Sequence, residues 1–228
     1  MNVDVMGGDA YPMLKVSLKQ GETVKAESGA MVAMSQGLVL SGKVDGGVGK
    51  AIGRLFSGES FFMQEIEAKE RDGWVMLASS MPGAIGRLEL DGTTEWQVEK
   101  KGFLAGTPGV DVSTKMQGIT KGLFSGEGFF VVKISGTGSA FLSTYGSLQV
   151  INLADGEEVL IDNGHLVAWE ATIDYKISKG AKSWTSSFTS GEGVACRFTG
   201  PGKVLIQTRN PSGFAGWLYP YLPIPKKG

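Results

Sequence analysis

Imidazole and thiol groups, which suit acid–base and nucleophilic chemistry, occur once each in this sequence. His165 could act as a general base, and Cys196 could act as a nucleophile after losing its proton. No second His exists in the chain, and the acidic residues nearest in sequence form no recognisable triad. One Cys and one His also exclude an intrachain disulfide and a zinc site built from a cluster of these ligands. We therefore expect a protein that is not an enzyme and that uses no metal or cofactor.

A glycine-rich stretch around Gly49 and Lys50 could be compared with a phosphate-binding loop, which requires the pattern G-x-x-x-x-G-K-[ST]. Val44 stands where the first glycine should be, and Ala51 stands where Ser or Thr should be. Because two defining positions fail, we interpret this stretch as a flexible turn that leads into a short helix and not as a nucleotide site.

A Ser-Gly-Glu motif recurs three times along the chain, at nearly equal spacing. Its glutamates could form one cation or ligand site in each repeat, or the motif could be a turn that opens a strand. We favour the structural interpretation, because duplicated motifs usually preserve folding and not chemistry. The three copies are Ser57, Gly58 and Glu59; Ser125, Gly126 and Glu127; and Ser190, Gly191 and Glu192.

A second repeated block lies upstream of each Ser-Gly-Glu motif. Residues 21–33 and 156–168 share Gly, Glu, Val, Gly, Val and Ala at matching positions, and residues 96–105 match the same block more loosely. Two blocks in the same order indicate internal repetition, which is the first feature to establish in any sequence. A unit of about 60 residues is marginal for a core of its own. We therefore expect one compact domain over residues 1–228, built of three pseudo-repeats over 14–90, 91–153 and 154–210 and followed by a tail over 211–228.

The repeat also weighs against catalytic roles for His165 and Cys196. The matching positions in the other units lack an imidazole and a thiol, so neither group belongs to the repeated framework. We interpret His165 as a structural strand residue and Cys196 as a small core residue. The matching residues are Ala30 and Gly102 for His165, and Met63 and Val131 for Cys196.

The composition and periodicity of the units predict an all-β fold. Hydrophobic residues make up 42% of the chain, and short segments rich in β-branched and aromatic residues alternate with a period of two. Glycine accounts for 35 of 228 residues and suits the tight turns between many short strands. The exception is the segment 48–56, where Val48, Ile52, Leu55 and Phe56 fall on one helical face. We expect this segment to be the one short helix, packed on a sheet.

The C-terminal tail combines aromatic side chains with proline in residues 213–225. Proline at this density argues against a helix or a central strand. Such a segment packs on its own sheets, on a neighbouring subunit, or on a membrane or another partner, and Trp and Tyr favour membrane interfaces. One anchor of this kind binds weakly and peripherally. The candidate interaction residues are Phe214, Trp217, Leu218, Tyr219, Tyr221 and Leu222.

The charge balance argues against a nucleic-acid-binding protein. Lys plus Arg number 22 and Asp plus Glu number 23, so the formal net charge is -1, whereas phosphate contacts normally require a basic excess. Lys100 and Lys101 lie near Phe103, and Lys203 stands alone, so no broad basic stripe results. The N-terminal residues resemble neither a secretory signal nor a transit peptide, and no apolar run could span a bilayer. We expect a cytoplasmic protein.

Two motifs resemble a known family. GGVGKAIGRLFSGESFF (residues 46–62) and QTRNPSGFAGWL (residues 207–218) resemble the prokaryotic relatives of the altered-inheritance-of-mitochondria family, twenty-fourth member. The resemblance covers essentially the whole chain. It implies a fold similar to the trp RNA-binding attenuation protein, with three double-stranded β-helix-like units per chain and a trimer that forms a ring of nine units. The mitochondrial members are linked to inner-membrane organisation, and the resemblance supplies no catalytic residues.

These observations favour a non-enzymatic oligomeric scaffold or binding protein. We expect a ring-like homotrimer that presents glycine-rich loops and the aromatic tail to a partner. Open sheet edges would be covered by strand pairing within and between chains. Two alternatives remain at this point: an RNA-binding ring by fold analogy, and a membrane-associated organising protein that uses the tail.

Overall fold

The computed structural model describes residues 1–8, 10–43, 63–113, 131–178 and 195–223. Within these ranges the chain is built mainly of β-strands, which confirms the predicted all-β class. The helix predicted over residues 48–56 lies outside the described residues. The strands are β1 (Asn2–Met6), β2 (Met13–Leu18), β3 (Thr23–Glu27), β4 (Met31–Met34), β5 (Leu38–Lys43), β6 (Met63–Ala68), β7 (Gly73–Ala78), β8 (Ile85–Asp91), β9 (Trp96–Glu99), β10 (Phe103–Gly106), β11 (Val110–Ser113), β12 (Val131–Ser143), β13 (Leu148–Leu153), β14 (Glu158–Asp162), β15 (Leu166–Glu170), β16 (Asp174–Ser178), β17 (Ala195–Thr199) and β18 (Gly202–Gln207), followed by helix α1 (Pro211–Leu218).

The strands form two small sheets and one large sheet. The first small sheet has the order β1-β2-β7-β4, and the second has the order β14-β17-β16. The large sheet runs β13-β18-β15-β9-β12-β10-β3-β6-β5, with β8 and β11 pairing to β12 beside this path. All named strand pairs of the described ranges are antiparallel.

The long strand β12 belongs to both halves of the large sheet. Residues 131–136 pair with β9 and β11, whereas residues 137–143 pair with β8 and β10. Gly136 and Gly138 have φ values of 94° and 107°, which residues with a side chain rarely adopt. These two glycines allow β12 to turn from one half-sheet into the other. Each half-sheet therefore contains six strands, in the orders β13-β18-β15-β9-β12-β11 and β8-β12-β10-β3-β6-β5.

Alternating burial along the strands builds the core. In β2, for example, Leu14, Val16 and Leu18 are buried and the residues between them are half-exposed. The buried residues form three apolar clusters. The first contains Leu14, Val16, Leu18, Val24, Ala26, Ala30, Leu38, Ile66, Ala68, Val75, Leu77, Leu104, Ala105 and Phe141; the second contains Leu90, Trp96, Val98, Phe103, Val110, Val132, Ile134, Ala140, Leu142, Val167, Ala168 and Leu205; the third contains Leu153, Ile161, Leu166, Trp169, Ile173, Cys196, Phe198 and Val204.

The C-terminal tail begins with a helix, so the prediction that its prolines block a helix was wrong for residues 211–218. Pro211 occupies the first turn of α1, where a missing N–H costs nothing. The Asn210 side chain caps the helix by accepting hydrogen bonds from the N–H groups of Ser212 and Gly213. The next proline, Pro220, follows the end of the helix. Within the described ranges, no helix has the length and apolar character needed to cross a bilayer.

Candidate assembly interface

The three Ser-Gly-Glu motifs lie outside the described residues, so their role stays a prediction. Their positions in the chain are nevertheless informative. Residues 57–59 fall between β5 and β6, residues 125–127 between β11 and β12, and residues 190–192 between β16 and β17. Each of these strand pairs is antiparallel. Every copy of the motif therefore lies, along the chain, between two strands that pair with each other.

His165 has a structural contact within the fold. It ends the short 3-10 turn between β14 and β15, where it is half-buried. Its Nδ1 lies 2.7 Å from the backbone oxygen of Gln207, and because a carbonyl can only accept, Nδ1–H donates this bond. Among the described residues, no group of three His, Cys, Asp or Glu side chains could hold a metal ion.

Cys196 is 1% exposed and belongs to the third apolar cluster. Burial raises the pKa of its thiol to about 11, so the nucleophilic thiolate is disfavoured at neutral pH. Its alignment with Met63 and Val131 depends on the three repeated units and stays a prediction. In the structure Cys196 pairs with Ile161 of β14.

The basic patch considered for nucleic acid lacks an accessible aromatic ring. Phe103 is fully buried in the second apolar cluster, so it cannot stack on a base. Lys101 and Lys203 are exposed.

The aromatic tail is largely exposed. Trp217 and Tyr219 are each 61% exposed, and Tyr221 is 71% exposed. Phe214 and Leu222 are also exposed, and Leu218 is half-buried. Such a contiguous apolar surface usually marks a contact site.

The tail contacts the sheets at its N-terminal end. The Phe214 ring packs edge-to-face on Tyr145 at 5.9 Å between centroids. Phe214 stacks on Trp217 at 5.9 Å, and Trp217 packs on Tyr221 at 5.4 Å. These four rings form a continuous row, which we call the aromatic row. Only its first member, Tyr145, belongs to the sheet region, so the row projects from the core and is not covered by it.

Two edge strands, β4 and β14, expose apolar side chains. Strand β4 pairs with β7 on one side, and its Met31, Val32 and Met34 are 38%, 55% and 36% exposed. Strand β14 pairs with β17 on one side, and its Leu160 is 41% exposed. A long apolar edge with free backbone groups is a template for pairing with another chain. Neither strand was among the contact residues predicted from the sequence, although the unbroken apolar run MVAM in β4 is typical of a strand buried on both faces.

Strands β10 and β15 have the local geometry of β4 but are covered. All four residues of β10 are buried, as are the first four of β15. The covering strand is β3 for β10 and β9 for β15. β4, β10 and β15 each carry a register shift at the same point of one pairing, with β7, β12 and β18 respectively. The shifts lie between Met31 and Ala33 in β4, between Phe103 and Ala105 in β10, and between Leu166 and Ala168 in β15.

Comparison with known proteins supports the overall fold described above. A crystal structure of a Streptococcus pyogenes protein matches with a TM-score of 0.80 and 33% identity, covering 97% of this chain and 99% of that chain. An uncharacterised protein from a serotype M6 strain of S. pyogenes is 37% identical over 221 residues, which are 93% of this chain and 88% of that protein.

A fungal protein and a family model give the broader relationship. The mitochondrial altered inheritance of mitochondria protein 24 of Verticillium alfalfae is 26% identical over 165 residues, and these cover 72% of this chain but 43% of the fungal protein. The family model described as mitochondrial biogenesis AIM24 matches residues 3–209. With nearly the whole length matched, the chain belongs to the AIM24 family.

Proposed function

We propose that this chain is a non-catalytic scaffold whose copies join head to tail, β4 of one copy pairing with β14 of the next. The assembly is a ring-like homotrimer that presents its hairpin loops to a partner. The observation that carries the proposal is the exposure of apolar β4, while β10 and β15, which share its register shift, are covered by a neighbouring strand.

The proposal treats the chain as the three related units predicted from the sequence. The register shifts align β4 with β10 and β15, and the preceding strands β3, β9 and β14 align in the same way. Two strand pairings, which we call joints, then link consecutive units. In the first joint β10 pairs with β3, and in the second β15 pairs with β9. Under this alignment β4 and β14 are the two strands without such a neighbour in the described part of the chain. β4 aligns with the strands that cover a neighbour, and β14 aligns with the strands that are covered, so β4 of one copy can pair with β14 of the next.

The registers of the two joints agree. Ala105 pairs with Ala26 at the first joint, and Ala168 pairs with Val98 at the second. Ala33 aligns with Ala105 and Ala168, and Ile161 aligns with Ala26 and Val98. The same register therefore pairs Ala33 of one copy with Ile161 of the next, and Met34 with Leu160.

The apolar clusters support the same joint. The first cluster takes Leu104, Ala105 and Phe141 from the second unit, and the second cluster takes Val167, Ala168 and Leu205 from the third. Among the described residues, the buried members of the third cluster lie in the third unit except Leu153, which ends the second, and the partly buried Val131 of the second unit packs against them. The residues that align with the borrowed ones are Val32, Ala33 and Met76, which are exposed or half-buried in a single copy. A neighbouring copy would supply them to the third cluster.

The sheets support the pairing as well. With β8 and β13 assigned as the first strands of the second and third units, slightly before the predicted unit bounds, each six-stranded half-sheet combines three strands of one unit with three of the next. The four-stranded sheet ends in β4 and the three-stranded sheet begins with β14. Their union across two copies makes a sheet of the same kind, with β1 added at its edge. Such a contact is heterologous, and it generates a ring if the rotation closes. Three copies give the nine-unit ring that the family resemblance implies.

A scaffold role also fits the chemical groups. The thiol of Cys196 is buried and His165 is engaged with the backbone, so neither supports catalysis. The burial of Phe103 and the net charge of -1 favour a scaffold over an RNA-binding ring.

The test is solution mass by light scattering for the wild type and for Val32→Asp. We expect the wild type at three times the chain mass of 24.1 kDa and the variant at one chain mass. Val32 is exposed in a single copy, so the variant folds, but in the ring its carboxylate would be buried at a cost of several kcal/mol.

Val39→Asp is the matched control, because Val39 is 40% exposed on β5, an edge strand that takes no part in the proposed joint. It should remain a trimer. A wild-type protein that is monomeric at micromolar concentration, or a Val32→Asp variant that stays trimeric, contradicts the proposal.

A further inference from the structure

We propose that the aromatic row of the tail is a clamp that closes over the start of β4 in the neighbouring copy. This inference rests on the head-to-tail assembly and deepens it. It assigns the exposed tail a partner, a second copy of the same chain, whose contact residues are Met31 and Val32.

The base of the tail is fixed to the turn that precedes β15. Asn210, which caps α1, packs so tightly on Gly164 that a side chain there would collide with it. Gln207 Nε2 donates a 2.9 Å hydrogen bond to the backbone oxygen of Gly164. Asp162 Oδ1 accepts a hydrogen bond of 2.8 Å from the Gly164 N–H. The helix therefore starts at the end of β14, the strand that receives the neighbouring copy.

The matching turn of the second unit shows what such a turn contacts. This turn covers Lys100–Gly102 and lies between β9 and β10. A Cβ added at Gly102 would lie 3.3 Å from the backbone oxygen of Val167 and 3.4 Å from its Cγ1, so the turn touches the strand of the next unit. His165 aligns with Gly102, and Val32 aligns with Val167. At the joint between copies, Val32 of the neighbour consequently approaches the turn on which the tail is seated.

The chemistry of the two surfaces matches. Residues 210–223 contain no charged side chain, and neither do residues 28–36 around β4. Interface cores are depleted of charge and enriched in Trp, Tyr and Met. Met31 is 38% exposed, and a flexible thioether packs favourably against aromatic rings.

The joint between copies also differs from the other joints because no covalent link holds its two sides together. After β7 and β12 the chain continues directly into β8 and β13, so consecutive units are covalently linked. After β18 the chain forms α1. The joint between two copies has no covalent link, and the clamp supplies contact area at the point where the link is missing.

The first experiment is a cross-link between copies. Met31→Cys and Trp217→Cys are combined in one chain and treated with a short bismaleimide, and the buried Cys196 stays unreactive. We expect covalent dimers and trimers on a denaturing gel. The matched control combines Trp217→Cys with Arg71→Cys, since Arg71 is exposed but contacts Gln36, beyond the opposite end of β4 from Met31. This pair should give single chains.

The second experiment measures the concentration at which the oligomer half-dissociates. Trp217→Ala should raise it at least about tenfold, because a buried aromatic anchor dominates an interface. Tyr11→Ala, which removes a 74% exposed aromatic outside the tail, should leave it unchanged. The clamp is overturned, and the ring is left intact, if Val32→Asp abolishes the trimer while Trp217→Ala leaves the half-dissociation concentration unchanged and the cysteine pair forms no cross-link. A monomeric wild type overturns both. Vesicles of phosphatidylcholine and phosphatidylglycerol that bind the wild-type trimer but not a trimeric Trp217→Ala variant would assign the row to lipid and also overturn the clamp.

Discussion

Ala168 of β15 lies directly opposite Val98 of β9 in the antiparallel pairing that joins two parts of the large sheet. Ala105 and Ala26 have the same relationship where β10 meets β3. In both cases the first partner follows a register shift, and the second precedes a turn by the same number of residues. A one-residue slip would exchange the faces of a whole strand, so the shared register of the two joints indicates a common pairing rule. The proposed joint between copies applies this rule once more.

The rule predicts a specific disulfide between copies. Met34 aligns with Trp169, and Leu160 aligns with Gln97, which is the partner of Trp169. Opposed residues of antiparallel strands lie about 4.5–5.5 Å apart between Cα atoms, within the range that a disulfide spans. A chain with Met34→Cys and Leu160→Cys should therefore form covalent trimers under mild oxidation, as seen on a non-reducing gel. The pair Ser35→Cys and Leu160→Cys is one residue out of register and should form far fewer, and equal yields would refute the register.

Stability should depend on protein concentration. Association stabilises the folded state by mass action, so the Tm of an oligomer rises with concentration. We expect the wild-type Tm to rise by several degrees between low and high micromolar concentration in calorimetry. Val32→Asp should unfold at one temperature throughout this range and below the wild type. A Tm that is independent of concentration in the wild type argues for a monomer.

The sequence was sufficient to predict the all-β class, because many segments combine a period of two with glycine-rich boundaries. Residues 24–28, 87–90 and 203–209 (VKAES, RLEL and KVLIQTR) show this pattern and coincide closely with β3, β8 and β18. The three units and their likeness to the trp RNA-binding attenuation protein stay predictions. The tail helix was missed because proline was counted by its density and not by its position. Pro211 begins a helix under an Asn210 cap, and that pair was the available signal.

The candidate interface was only partly predictable. Pairing of open edges between chains was expected, but which edges stay open depends on strand order, which the local pattern of a strand does not encode. Met31 and Val32 look like core residues in the sequence, and they are exposed because no strand in the described part of the chain covers β4 on its second side.

The buried thiol predicts a pH dependence above neutrality. The pKa of Cys196 is about 11 in the folded chain, against an ordinary value near 9. Between these values the unfolded chain releases this proton while the folded chain keeps it, so the thiol lowers stability as pH rises through this window. The free energy of unfolding, measured in urea from about pH 8 to 11, should fall more steeply for the wild type than for Cys196→Ala. Cys196→Ala is the right comparison because other groups that titrate here, such as Tyr175, remain in both proteins. Parallel curves would show that the folded thiol titrates normally.

The burial of Phe103 and the neutral charge balance predict that the assembled protein does not bind single-stranded RNA. A ring that binds RNA needs accessible rings for stacking and cations for phosphate contact, and its affinity falls steeply with salt. Fluorescence anisotropy with a labelled oligoribonucleotide should show no saturable binding at low ionic strength. Lys101→Glu with Lys203→Glu serves as the control, because any residual signal from these exposed lysines should disappear with it. Saturable binding that survives this variant and weakens with salt would favour the RNA-binding ring over the scaffold.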